Sequence, residues 1–134
     1  VRVAKGPVAA RRIAAGGNPR VNVRGHCTGR LVEGSRGTRL ESEFDARAVF
    51  EACAATGTAV EINSRPERCD PPDPLIDLAL DLGCLFAIDS DAHAPGQLDM
   101  KAYGCARAQA HGIPADRIVT TWTAERLIAW TRNS

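Results

Sequence analysis

Asp89-Ser90-Asp91-Ala92-His93 sets two carboxylates and an imidazole within five residues, directly after the apolar run Leu85-Phe86-Ala87-Ile88. Oxygen and nitrogen donors of this kind suit Zn²⁺, Mn²⁺ or Fe and are a poor match to a thiolate-dominated site. The spacing therefore points to metal-ion chemistry. A short apolar run after Gly83 predicts a buried parallel strand, so these donors fall where a strand ends and its loop begins, the place where α/β proteins keep their chemistry. His26 follows an earlier short strand, and Glu61 and Asn63 end another. The carboxyl ends of parallel strands share one rim, so residues far apart in sequence converge there without any local motif.

The elements that must position these groups alternate along the chain. Residues 8–15 are rich in Ala and Arg and stop at Gly16-Gly17-Asn18-Pro19, a helix with a Gly stop and a Pro just beyond it. Val21-Asn22-Val23 predicts a strand running into Gly25-His26. Residues 28–40 hold Gly29, Gly34 and Gly37 with Arg30, Arg36 and Arg39 and no periodicity, which predicts a long, basic, mobile loop. Ser42-x-x-Asp45 resembles a capping box and opens a helix that Gly57 closes. A strand over 58–62 ends in Asn63. Asp73-Pro74 predicts an N-cap followed by Pro at the first helical position, and the helix it opens ends at Gly83. After the strand over 85–88 come a helix over about 100–110, a short strand Ile118-Val119, and a last helix capped by Thr123. About four parallel strands alternating with helices predict an α/β architecture, an open sheet or part of a barrel, with right-handed crossovers.

Composition bounds the reading. The chain has 134 residues, 25% charged and 44% hydrophobic, which is ordinary for one folded domain or a piece of one and argues against general disorder. A net charge of +1 leaves no electrostatic footprint for nucleic acid. Cys27, Cys53, Cys69, Cys84 and Cys105 are odd in number and scattered, so reduced thiols in a cytoplasm fit better than a disulfide framework or a zinc ribbon. No apolar stretch approaches the roughly 20 residues of a membrane span. The chain starts at Val1, in what reads as mid-helix sequence, which suggests a fragment or truncated product.

Each candidate residue also has a plainer role open to it. Asp89 suits a cap on the following turn or a bond to loop amides. An Asp91-x-His93 pair beyond a buried strand seldom serves packing alone, whereas His26 taken by itself suits a hydrogen-bonded core histidine. Glu61, in an apolar strand, must face the rim or pair with an arginine, because unpaired burial is costly. Cys27 suits a buried thiol. Trp122 and Trp130 suit helix packing. Loop arginines are more often solvated or paired with carboxylates such as Glu67 and Asp70 than bound to a ligand.

Gly25-His26-Cys27-Thr28-Gly29-Arg30, Glu61-Ile62-Asn63, Arg65-x-x-Arg68-x-Asp70, and Asp91-Ala92-His93 followed by Tyr103-Gly104 resemble the later motifs of the PHP (polymerase and histidinol phosphatase) domain. The similarity is greatest to the type found in bacterial family X DNA polymerases and stand-alone relatives, and it runs in order over about residues 18–130. It implies the C-terminal portion of a distorted seven-stranded β/α barrel. Residues 1–134 would form the C-terminal half of the domain, because the family's opening His-x-His motif and the glutamate and histidine motifs after it have no counterpart here. The resemblance implies a cluster of two or three divalent ions (Zn, Mn or Fe) with His26, Asp91 and His93 as ligands and Glu61 and Asn63 lining the rim.

The implied activity is hydrolysis of phosphate esters by a metal-activated water, with no side chain acting as the nucleophile. Arg30, Arg65 and Arg68 are candidates to hold a substrate phosphate. The expected substrate is a phosphorylated small molecule or, in a proofreading module beside a polymerase, a nucleic-acid 3′ end. A half-barrel that keeps the fold but has lost the cluster is the non-enzymatic alternative. No membrane partner is expected, and a truncated barrel with exposed sheet edges would tend to self-associate.

Overall fold

In the computed structural model, which describes residues 5–32 and 44–132, the alternation resolves into three parallel strands and five α-helices among the described residues. Helix α1 (Lys5–Gly16) precedes β1 (Val23–Arg24); α2 (Ala46–Thr56) leads into β2 (Ala59–Asn63), and α3 (Asp73–Asp81) into β3 (Leu85–Asp89). A 3-10 turn (Pro95–Met100) runs directly into α4 (Lys101–Ala110), two further 3-10 turns follow (Ala115–Arg117 and Val119–Thr121), and α5 (Ala124–Arg132) ends the described chain. The sheet order is β1-β2-β3, all parallel, with Asn63 opposite Asp89 and Ala59 opposite both Val23 and Leu85.

Alternation of side chains along the strands divides the sheet into two unlike faces. Val60, Ile62, Phe86 and Ile88 lie on one face and join Val49, Phe50 and Cys53 of α2, Ile76 and Ala79 of α3, and Ala108 of α4 in the main core. The opposite face carries Ala59 and Ala87, which pack with Val119, Trp122, Leu127 and Trp130 at the α5 end. By the same parity and register, Glu61, Asn63 and Asp89 belong to this second face. Three helices therefore cover one face, and the polar residues are gathered on the other.

Local chemistry accounts for the ends of these elements. The Asp45 carboxylate accepts from the Ala48 amide at 3.1 Å, so Asp45 itself is the N-cap of α2; the expected capping partner Ser42 and most of the expected 28–40 loop lie outside the described residues. Gly57 ends α2 at φ +69°, a left-handed conformation that glycine takes without strain. Asp73 differs from its expected role. It is the first helical residue of α3 after Pro72, no side chain caps the helix, and its carboxylate instead binds Arg107 and His111 of the α4 segment.

The expected fourth strand does not extend. Ile118 makes a single parallel bridge to Phe86, and the chain then turns into 3-10 geometry. The physical reason is a side chain standing in for a strand backbone. Thr120 Oγ1 accepts from the Ile88 amide at 3.1 Å, and Thr121 Oγ1 donates to the carbonyls of Ala115 and Ile118, closing the turn on itself. The tryptophans do pack as expected, with Trp122 and Trp130 edge to face at 6.0 Å. Trp130 Nε1 also donates to the Gly57 carbonyl, which ties α5 to the start of β2. Among the described residues no helix is long and apolar enough to cross a membrane.

Candidate metal centre

The segment that carries His26 is held from both sides. Arg12 of α1 stacks on the Phe44 ring at 4.2 Å and donates to the Cys27 carbonyl. Asp70, fully buried, accepts from the Thr28 amide and hydroxyl at 2.9 Å each and from the Gly29 amide at 2.9 Å, while its own carbonyl accepts from the Asn63 amide. Asp70 thus fastens the 25–30 loop to the end of β2. Among the described residues no arginine forms an ion pair with it. Arg30, a candidate for substrate phosphate, donates through Nε and Nη2 to the Cys69 carbonyl and through Nε to that of Arg68, so it joins two rim loops. Cys27 is buried as expected, and burial pushes its thiol up to about 12, which makes it inert at neutral pH.

Glu61 and Asp89 lie side by side on the polar face, near His26. Glu61 Oε2 accepts from the His26 amide at 2.5 Å and stands 3.8 Å from His26 Nδ1. Burial, and then the neighbouring Asp89 carboxylate, push the Glu61 carboxyl up to about 8. Glu61 therefore faces the site, one of the two orientations open to it from sequence. Asp89 Oδ1 is buried with no hydrogen-bond partner. The cap or amide bond expected for Asp89 is not made by that oxygen, and Asp89 joins the site beside Glu61. Its signal was the strand parity, which puts Asp89 level with Asn63 and on the face of Glu61.

The Asp91–His93 turn is built from the neighbouring loops. Asp91 takes φ +49° and His26 φ +46°, left-handed conformations that residues other than glycine rarely adopt; such strain persists where surrounding bonds hold it and gathers at functional sites. Asn63 Nδ2 donates to Asp91 Oδ2 at 3.1 Å, and its Oδ1 accepts from the Arg65 amide. Arg68 Nε donates to the same Asp91 oxygen at 3.1 Å, and Arg65 Nε lies 3.6 Å from it. Partial burial works against the Asp91 charge, but the Asn63 hydrogen bond and the charges of Arg68, His26 and Arg65 outweigh it and lower the pKa. Asp91 is an anion at neutral pH. Arg65 donates to the Asp91 carbonyl at 2.9 Å and pairs with Glu67 at 2.7 Å. His93 Nδ1 lies 2.8 Å from the Asp91 carbonyl, which can only accept, and 3.2 Å from Arg65 Nη2, which can only donate; a proton on Nδ1 serves the shorter contact and leaves Nε2 as the nitrogen able to accept or ligate.

Two histidines and three carboxylates thus stand around the ends of β1, β2 and β3 as expected, with Asn63 as a connecting residue. They are not closed into one shell. Among the described residues no group of three His, Cys, Asp or Glu side chains is gathered so as to hold an ion. Asp91 is drawn toward Asn63 and the arginines, whereas Glu61 and Asp89 face each other. The residues still fit a divalent ion by donor type and by the unpartnered buried Asp89 oxygen, an atom whose desolvation a cation would offset.

No protein-family model matches the chain. Over 92 residues, 69% of this chain, it is 33% identical to a protein of Bacillus subtilis (strain 168) described as DNA polymerase/3′-5′ exonuclease PolX. The matched stretch spans 15% of that relative's length.

Proposed function

We propose that this chain, similar to part of a bacterial polymerase/exonuclease, belongs to a metal-dependent phosphoesterase of the PHP type that hydrolyses phosphate esters. The observation that carries the reading is the buried, unpartnered Asp89 oxygen beside Glu61, on the strand that leads into the Asp91-x-His93 turn. His26, Asp91 and His93 are the proposed ligands of two or three divalent ions, with Glu61, Asn63 and now Asp89 bordering them. A complete β/α barrel and a closed shell would take more strands and ligands than the described residues supply. Bound ions would supply a water of lowered pKa and offset charge on the leaving oxygen. The side chains supply placement: Asp70 fixes the loop bearing His26, Asn63 holds the Asp91 carboxylate, and Arg65 holds its carbonyl. Of the three candidate arginines, Arg68 is the one we assign to substrate phosphate: Arg30 and Arg65 are committed to loop carbonyls and to Glu67, whereas among the described residues the Arg68 side chain is bound through Nε alone, to Asp91 Oδ2.

A second reading, a 3′-5′ exonuclease module beside a polymerase, is favoured by the description of the Bacillus relative. One set of measurements addresses both. Elemental analysis of the purified chain should find Zn, Mn or Fe that is lost in an Asp91→Ala, His93→Ala double variant. Phosphate release from a small phosphate monoester against nucleotide release from 3′-labelled single-stranded DNA then separates the substrate classes. Absence of metal in both proteins, with neither activity, would sink the phosphoesterase reading for this chain and leave the non-catalytic half-barrel.

A further inference from the structure

We infer that Gln97 is a positioning residue, whose side-chain oxygen braces Arg65 and the His93 main chain and so sets the Asp91-x-His93 turn. Gln97 lies in the 3-10 turn Pro95–Met100, outside every motif singled out from the sequence. Its Oε1 accepts from Arg65 Nη2 at 2.6 Å and from the His93 amide at 2.7 Å. Both partners are donors, so the oxygen, not the amide nitrogen, must occupy this position.

The consequence runs through Arg65. Its planar guanidinium uses all three nitrogens in different directions: Nε to the Asp91 carbonyl, Nη1 to Glu67, and Nη2 to Gln97. A fork held at three points has its plane fixed, and the Asp91 carbonyl it grips is the one His93 Nδ1 also contacts. Asp91 at φ +49° lies in the left-handed region, which even aspartate seldom occupies without local hydrogen bonds, and these contacts supply them. Gln97 therefore acts on the turn twice, directly at the His93 amide and indirectly by aiming Arg65 at the Asp91 carbonyl. The inference deepens the metal-centre reading and rests on it for the role of His93, whereas the brace itself is a property of this chain alone.

The test compares Gln97→Leu, which keeps bulk and removes the acceptor, with Gln97→Glu, which keeps an oxygen in place. Two readouts are taken: hydrogen exchange at the His93 amide by NMR, and Mn²⁺ affinity by titration calorimetry, with thermal melting as the control for folding. Gln97→Leu should speed His93 exchange and weaken Mn²⁺ binding by about tenfold or more, the usual effect of removing a residue that orients a ligand. Gln97→Glu should restore both. Unchanged His93 exchange in Gln97→Leu, or a Glu variant no better than the Leu variant, would overturn the inference. If the unaltered chain binds no Mn²⁺, the metal-centre reading fails, yet His93 exchange still decides the brace. Should Gln97→Leu not fold, Gln97→Asn, whose oxygen falls one methylene short, gives the same readouts.

Discussion

Asp70 shows what a single carboxylate can organise. Its oxygens accept from the amide and hydroxyl of the buried Thr28 and from the amide of the half-buried Gly29. Asp70→Ala leaves these donors without an acceptor, and each buried unsatisfied group costs about 1–3 kcal/mol, so a loss of about 3 kcal/mol or more is expected in urea unfolding. Asp70→Asn, which keeps one acceptor oxygen, should lose less. From sequence, Asp70 reads as a partner for a nearby arginine because Arg68 is its close neighbour in the chain. Its actual partners lie on another loop, which spacing does not reveal. Glu67 pairs with Arg65 two residues away, a contact within reach of local reading.

At the scale of elements, α4 is seated by a glycine and a histidine. A Cβ at Gly104 would lie 2.2 Å from Ser64 Oγ and 2.7 Å from Ile88 Cγ2, so α4 approaches the ends of β2 and β3 as closely as it does only without a side chain. Gly104→Ala should lower stability by about 1–3 kcal/mol through overpacking, despite the better helix propensity of alanine. At the far end of α4, His111 reaches Asp77 at 2.6 Å and Asp73 at 3.2 Å on α3. Asp77 and then Asp73 raise the His111 pKa, while Arg107 and His111 lower that of Asp73. The His111 contribution is complete below the unfolded histidine value of about 6.5 and fades as pH rises through the raised folded value. The Asp73 contribution is present above the ordinary aspartate range and is lost as pH falls through its lowered value. Stability of the native chain relative to His111→Gln should therefore be greater at about pH 6 than at about pH 9, by about 1 kcal/mol or less because both carboxylates are exposed.

For the whole molecule, the helix-covered face and the polar face have different requirements. The first is a closed apolar core; the second ends at β1, a two-residue strand on which Val23 is exposed. Among the described residues no strand pairs with the outer side of β1, and such an edge favours pairing with another chain, so sedimentation velocity should show the weight-average mass rising with concentration, and a concentration-independent monomer would refute this. The sequence by itself determined the alternation of helix and strand, the parallel sheet and the strand-end position of His26, Asn63 and the Asp91-x-His93 pair, because hydrophobic periodicity and Gly or Pro stops are local signals. Tertiary structure decided that Ile118-Val119 forms only one bridge, that Asp89 faces Glu61, that Asp73 clamps α4, and that Gln97 and Asp70 hold the rim. These outcomes depend on which distant donor meets which acceptor, and that pairing exists only once the chain has folded.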